Sequence, residues 1–585
     1  MTATKCALQF EFPSASGERE TLVFTEPIKL ITAHHVDEIQ SCFEEVEKAL
    51  SEGKYVAGYL AYEAAPAFER SVKVSEVGAR GFPLLWFGVF DSPSAAPLAP
   101  KGEPYTLSAW EPNLTKSRYA SDIARIKEAI AGGETYQVNY ALRLNASFTG
   151  EPLAFYERMK RSQRANYSAF LDTGRYTILS ASPELFFRLD EGTLTTKPMK
   201  GTIRRGRYAE EDEALRSELH HSEKNRAEHV MIVDLLRNDL GRVSEMGSVR
   251  VKDLFAVETY PTLFTMTSTI KSELKPHTSF AELFGALFPC GSVTGAPKIH
   301  TMNLIAELES CPRNVYCGAV GYITPERNAV FNVPIRTVLL DAEAERAEYG
   351  VGGGVVWDSE TESEYGEAML KASFLSVPRP DFELLETLKF DGHHYELLAR
   401  HIGRLLASAS YFGIDVCEAD VRQSLRAEVE AYTGQPRRVR LLVDEQGSVH
   451  VESTALGEAL TQMRVHLAAA PMDTNDVFLY HKTTNRQQYE AQLRAAEPHG
   501  VDDVLLWNEQ GELTEFTKGN VVVELGGVKW TPPRACGLLQ GTFAEELLAR
   551  GEIHAKRLPK SCLDVASKIW FINSVRGWAE VALVS

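Results

Sequence analysis

Around residue 378 the chain reads Ser376-Val-Pro-Arg-Pro-Asp381. Neither proline can continue a helix, because each lacks an amide donor and pushes the residue before it out of the α region. Upstream, TESEYGEAMLKASFL carries a strong helical pattern; downstream, ETLKFDGHHYELLARHIGRLL starts a strand, a turn and a helix afresh. The break therefore divides the chain into a first module, 1–377, and a second, 378–585. Length points the same way, since 585 residues exceed what one hydrophobic core organises. Short β-rich runs alternate with amphipathic helical stretches and no repeat, which predicts multidomain α+β architecture. The Pro- and Ala-rich stretch 91–104 reads as a surface loop inside the first module.

With 62 Lys and Arg against 80 Asp and Glu, the net charge is −18. Nucleic acid and anionic membrane both call for clustered basic residues, so neither is expected as a partner. Small-molecule chemistry is the default, and a bound cation or a few arginines can reverse the field inside one pocket. The eight cysteines form no CxxC pair, the N-terminus has no basic and apolar leader, and no run of eighteen apolar residues occurs. A cytoplasmic protein with reduced cysteines is the expectation.

Three stretches of the first module concentrate reactive residues. SEKNRAEHVMIVDLLRNDLGRV (222–243) is apolar from Val230 to Leu236 apart from Asp234, which predicts a deeply buried helix whose carboxylates need partners. Ser359 with Glu362 makes a capping box for the next helix, on which Glu364 and Glu367 share a face and could meet Glu228 around a hard cation, or simply form a solvated acidic face. In TTKPMKGTIRRG (195–206), Lys200 is either solvated or, in a dry pocket, a nucleophile of lowered pKa. Composition does not choose between these alternatives.

Taken together, GGETYQVNY (132–140), SASPELF, PMKGT, AEHVMIVDLLRNDLGRV, GSVTGAPK (291–298), YCGAVGY (316–322), NVPIRT (332–337) and GGGVVWDSETESEYGE resemble the chorismate-utilising enzymes: anthranilate synthase large subunits, aminodeoxychorismate synthases and isochorismate synthases. The resemblance spans about 105–376 and implies antiparallel sheets with outer helices. Anthranilate synthases carry alanine where this chain has Lys200, so the resemblance is to aminodeoxychorismate synthases. It implies that Lys200 attacks C2 of chorismate as the C4 hydroxyl leaves, and that ammonia then adds at C4 and expels the lysine. It also implies that Glu184 is the general acid and base, and that Mg²⁺ is held by Glu228 and Glu367 with Glu364 nearby. Arg336, Tyr316 and the backbone of 291–295 and 352–354, Thr294, Gly295 and Gly353 among them, would contact carboxylates and the enolpyruvyl group, and Gln137 would line the ring site. A histidine common in relatives is replaced by Thr265. With no glutaminase motif present, ammonia is expected from a separate glutamine amidotransferase subunit, with free ammonium as the fallback.

From Phe382 to Ser585, ELLARHIGRLLASASYFG, LYHKTTNRQQYE, LTEFTKGNVVV, GLLQGTFAEELL and FINSVRGW resemble fold-type IV pyridoxal-phosphate enzymes, which implies two α/β subdomains. In that family Lys482 corresponds to the lysine that binds the cofactor, Glu515 to the partner of its ring nitrogen, and Arg404 with Gly541 and Thr542 to the phosphate cradle. Asn573, Ser574 and Arg576 are candidates for substrate carboxylates. GLLQGTF lacks an arginine often found after the Gly-Thr pair. The resemblance further implies pairing as a homodimer through this module. Beside the first module, the expected reaction is elimination of pyruvate from aminodeoxychorismate to give 4-aminobenzoate; the rivals are an aminotransferase, an anthranilate-type first module, and a scaffold with lost activity.

Overall fold

The computed structural model describes residues 6–75, 81–102, 104–376, 380–457 and 461–584. Most of the proline break, 377–379, lies outside the described residues. The chain divides into two compact units. The first holds residues up to Arg204 and Arg216–Arg379; the second holds Arg205–Leu215 and Pro380–Ser585. Residues 205–215 thus pack with the second unit although they lie in the sequence of the first module.

The first unit is built on two ten-stranded antiparallel sheets. Strands between them are covered on both faces and read as apolar runs rather than alternations: Ala7–Pro13 is buried at five successive positions and Leu85–Phe90 at all six. Between the sheets lies an aromatic core in which Phe10 meets Tyr322 edge-on at 5.5 Å and Tyr59 stacks on Phe82 at 4.6 Å. Helices Ile39–Ser51, Glu223–Val243 and Phe280–Leu287 cover the outer face of one sheet, and Lys116–Ala131, Pro152–Gln163, Lys298–Leu308 and Thr361–Ala372 cover the other.

Two local expectations change. Helix Glu223–Val243 is half-buried rather than deeply buried: His229, Ile232, Val233, Leu236 and Leu240 face the core, while Val230 is 40% exposed, because the apolar run is longer than one helical face. Nor does Ser359 cap its helix. The N-cap is Glu360, and the Ser359 hydroxyl donates instead to Glu364 at 2.6 Å.

A buried ionic cluster lies within the first unit. Glu309 accepts from Arg313 at 2.6 and 3.1 Å, from Arg143 at 3.5 Å and from the Ala141 amide at 3.0 Å. Arg313 in turn donates to the carbonyls of Val293 at 2.9 Å and Asn139 at 2.7 Å, and Glu63 accepts the amides of Arg313 and Asn314. The backbone at Asn139 and Val293 is thereby tied to one guanidinium.

In the second unit, Leu384–Phe390, Arg437–Val443 and Val449–Ala455 form a three-stranded antiparallel sheet backed by Leu398–Phe412 and Glu418–Val429. An eight-stranded mixed sheet with parallel pairings forms the other subdomain. Strand Leu384–Phe390 alternates buried and half-buried positions, and its buried face reads Leu384, Glu386, Leu388, Phe390. A carboxylate among leucines breaks the pattern, and burial of this kind requires a charged partner. The multidomain α+β expectation, with two subdomains in the second module, holds in this architecture.

The cluster yields a stability prediction. Glu309→Ala leaves two buried guanidinium groups without their shared carboxylate, so the first unit should lose about 3–5 kcal/mol, read as a lowered midpoint of its transition in denaturant. An unchanged midpoint would contradict the account of the cluster.

Candidate active sites

Lys200 owes its direction to a break in strand pairing. Strand Met199–Arg204 pairs with Leu263–Glu273, but the register shifts between Met199 and Thr202. The bulge falls on Lys200 and Gly201, and Gly201 adopts a φ of +85°, a conformation open to glycine at little cost. Thr265 donates to the Gly201 carbonyl at 3.2 Å. Thr265 thus holds the bulge.

The bulge turns Lys200 into a cavity of about 260 Å³. Glu184, Glu228, Glu364, Glu367, Tyr316, Arg336 and Gly353 line it too, with Ser292, Val293, Thr265 and Lys371. Gln137 is fully buried with both amide atoms unpartnered. It meets Lys200 at Gly354, where a Cβ would lie 2.2 Å from Lys200 Nζ and 2.7 Å from Gln137 Nε2. A larger residue there would displace the tips of both side chains. Tyr316 is placed by the same logic, since a Cβ at Gly350 would lie 2.3 Å from its ring. Thr294 and Gly295 do not line the cavity: the Thr294 hydroxyl is spent on the carbonyls of Cys290 and Gly291, and Gly295 packs against the Gln137 carbonyl. Ser292 and Val293 take their place.

Burial opposes the charged form of Lys200 and lowers its pKa, against the opposing pull of Glu228 at 3.5 Å. Glu184, fully buried, is pushed up to about 7. Its Oε1 accepts from the Ser292 hydroxyl at 2.6 Å. Sequence reasoning missed Ser292, although it lies inside a motif that was noticed. Each acidic candidate for Mg²⁺ already has a partner: Glu228 has Lys200, Glu367 has Lys371 at 2.7 Å, and Glu364 has Ser359. Among the described residues no three such groups converge into a preformed cage. Three carboxylates on one substrate cavity still fit Mg²⁺, which takes one or two protein carboxylates and fills its remaining positions with water and substrate oxygens.

The second site is a cavity of about 830 Å³ in the second unit. Lys482, Arg404, Glu515, Gly541, Thr542, Asn573, Ser574 and Arg576 all line it. Burial, then the Arg404 charge, bring Lys482 down to about 8. Burial raises Glu515 to about 7, and it accepts from the Tyr489 hydroxyl at 2.8 Å and the Leu539 amide at 3.0 Å. The odd carboxylate of strand Leu384–Phe390 finds its partners here: Glu386 takes both Nε and Nη2 of Arg404, at 2.8 and 2.6 Å, and His401 Nδ1 at 2.7 Å. These hold it down to about 2 despite burial. His401 Nε2 lies 3.1 Å from the Thr542 hydroxyl, so Arg404 and Thr542 are tied to one buried carboxylate. Thr542 also opens helix Thr542–Ala549, whose free amides suit a phosphate. A buried acid, a buried lysine and a helix N-terminus on one cavity fit pyridoxal phosphate.

Asn573 is a weaker candidate for substrate. Its side chain donates to the Lys518 carbonyl and accepts the amides of Val575 and Arg576, holding the turn that carries Arg576. Sequence reasoning missed Lys389, Arg438 and Arg440 on strands and Lys518 in a turn, which also line the cavity; in the sequence these basic residues look like ordinary surface.

Comparison with known proteins accords with this geometry. Residues 6–377 match the family model described as chorismate binding enzyme. The chain belongs to that family. Residues 383–584 match the model described as amino-transferase class IV. Aminodeoxychorismate synthase component 1 of Klebsiella aerogenes is 40% identical over 291 residues, covering 48% of this chain and 64% of that protein. Its namesake in Bacillus subtilis is 40% identical over 270 residues, covering 46% and 57%. The match thus spans less than two thirds of these relatives. The crystal structure of anthranilate synthase component I from Streptococcus pneumoniae aligns with a TM-score of 0.52 at 26% identity, covering 64% of this chain and 93% of that one. No helix among the described residues is long and apolar enough to cross a membrane.

The Ser292 contact sets a pH dependence. Its hydrogen bond favours ionised Glu184, so Ser292→Ala should raise the Glu184 pKa from about 7. Turnover that needs protonated Glu184 falls as pH rises through that value, so the alkaline limb should move to higher pH in the variant. A limb that stays where it is would separate Glu184 from the rate.

Proposed function

We propose that this chain makes 4-aminobenzoate, a folate precursor, from chorismate in two successive steps in the cytoplasm, the first unit forming 4-amino-4-deoxychorismate and the second releasing pyruvate from it. What carries the reading is one pairing in the first cavity: Lys200, whose ammonium burial disfavours, and Glu184, which burial pushes up to about 7, line the same walls. Burial thus shifts each group toward the form its role needs, the free amine as nucleophile and the protonated carboxyl as acid.

In the first step Lys200 Nζ bonds C2 as the C4–O bond breaks, and Glu184 gives its proton to the leaving hydroxyl, which departs as water. Ammonia then bonds C4, the C2–N bond breaks, the lysine leaves as the free amine, and the surplus proton returns to Glu184. Arg336 and Tyr316 hold the substrate's carboxylate and enolpyruvyl ends. Glu228 and Glu367, with Glu364, would hold Mg²⁺, which neutralises a dianionic substrate in an acidic pocket. Ammonia comes from a separate glutamine amidotransferase.

In the second step pyridoxal phosphate, when bound, supplies an electron sink for the ring carbon that bears the new amine. Arg404, Gly541 and Thr542 hold its phosphate, Glu515 faces its ring nitrogen, and Lys482 removes the C4 proton. Arg438, Arg440, Lys389, Lys518 and Arg576 suit the two carboxylates of aminodeoxychorismate. Loss of the enolpyruvyl group as pyruvate aromatises the ring and drives the step. The reading includes pairing of two chains through the second unit.

Lys200→Ala should abolish aminodeoxychorismate formation from chorismate and ammonium while leaving pyruvate release from supplied aminodeoxychorismate intact. Undiminished 4-aminobenzoate would refute the covalent step. Glu228→Gln and Glu367→Gln should each weaken the Mg²⁺ dependence of chorismate turnover; a variant that titrates with Mg²⁺ like the parent exonerates that glutamate. Borohydride reduction of the loaded protein followed by peptide mapping should place the pyridoxyl label on Lys482, and a label on another lysine would move the second site.

A further inference from the structure

Residues 205–215 follow directly on the strand that carries Lys200, yet they pack with the second unit. They form a stiff strap. Asp212 receives Arg205 through Nε at 2.8 Å and Nη2 at 2.7 Å, and takes the Gly206 amide at 2.8 Å. Glu211 takes the amide of Arg207 at 2.8 Å and its Nε at 2.9 Å. A Cβ at Gly206 would lie 2.1 Å from the Asp212 nitrogen, so no larger residue lets the strap close this tightly.

The strap's contacts converge on two residues. Arg207 Nη1 donates to the Tyr480 hydroxyl at 2.9 Å, and Tyr208 stacks on the Tyr480 ring at 5.4 Å. Arg534, paired with Glu210 at 3.3 Å, lies over the Tyr208 ring and donates to the Tyr480 carbonyl at 3.0 Å. The Gly206 carbonyl accepts from Tyr411, whose ring lies 4.3 Å from that of His481. Tyr480 and His481 are both buried and immediately precede Lys482. Burial, then the Arg534 charge, keep His481 neutral. On the far side, the Leu385 amide donates to the Lys482 carbonyl at 2.9 Å and Glu383 pairs with Thr484. The lysine is gripped from both directions along the chain, once by its own module and once by the strap.

We propose that residues 205–215 are a positioning element of the second site: Arg207 and Tyr208 hold Tyr480 and His481 so that Lys482 enters the cavity in one direction. The second site is therefore complete only with a segment from the first module's sequence. The proposal rests on the reading of Lys482 as the lysine that carries pyridoxal phosphate. A misplacement of about 1 Å in a catalytic group costs up to a hundredfold in rate, which is why support this close to Lys482 matters.

The test uses the full-length chain loaded with pyridoxal phosphate. Tyr208→Ala should slow pyruvate release from supplied aminodeoxychorismate by about ten- to a hundredfold and move the pH at which the visible band of the bound cofactor titrates. Tyr208→Phe, which keeps the stack, should leave both at parent values, and aminodeoxychorismate formation from chorismate and ammonium should persist in each. A cycle of Arg207→Met and Tyr480→Phe isolates the coupling between these two side chains without emptying the Tyr208 stack. It decides the matter if Tyr208→Ala does not fold, and the double variant should be no slower than the worse single one. Parent-like rate and titration in Tyr208→Ala, or strict additivity in the cycle, would overturn the proposal. Borohydride labelling of the parent keeps the two readings apart: a label away from Lys482 defeats the site assignment itself, whereas a label on Lys482 with silent strap variants defeats only the strap.

Discussion

An ammonium group taken out of water loses its hydration, and both candidate sites are organised around that cost. Burial lowers the pKa of both Lys200 and Lys482, the latter to about 8. Neither is left without a balancing charge, since Glu228 stands 3.5 Å from Lys200 and Glu386 and Glu515 pull on Lys482. The same burial holds Glu184 and Glu515 near 7. Burial thus shifts a lysine and a glutamate together on each of the two cavities.

The closeness of the cavity walls explains where glycine is used. At Gly354 and Gly350 a side chain would occupy the space of Lys200, Gln137 or Tyr316, and at Gly201 the backbone must adopt a positive φ to form the bulge. Behind them, Arg313 ties Asn139 and Val293 to one buried carboxylate. In the second unit Glu386 has the equivalent task for Arg404 and, through His401, for Thr542. Each cavity is backed by a charge cluster that fixes several lining groups at once, so rigidity at the surface of the site comes from ions behind it.

Much of this was legible before any coordinates. Short ordered strings pointed to Lys200, Glu184, Glu228, Glu364 and Glu367, and all five line one cavity; Lys482, Arg404, Glu515 and Thr542 line the other. Those residues sit in motifs whose unusual composition betrays a task. Illegible were residues that act by long-range contact. Ser292 meets Glu184 across 108 positions, and the basic residues of strands Leu384–Phe390 and Arg437–Val443 show no local pattern that separates a lined cavity from open solvent. Thr294 and Gly295 follow Ser292 and Val293 in the chain, yet the Thr294 hydroxyl turns to the Cys290 and Gly291 carbonyls, a contact no local pattern announces. The strap was hidden for a further reason. RRGRYAEED reads as an ordinary turn and helix start, and nothing local reveals that it packs beneath a lysine some 270 positions on.

The account's central claim is that two chemically successive sites share this chain, and an isotope experiment on the unaltered protein tests it most directly. Chorismate, ¹⁵N-ammonium, Mg²⁺ and pyridoxal phosphate are supplied together, and products are separated and weighed by mass spectrometry. The account predicts 4-aminobenzoate carrying the label, with pyruvate released in equal amount. Labelled anthranilate, or labelled aminodeoxychorismate that persists with pyridoxal phosphate bound, would contradict it.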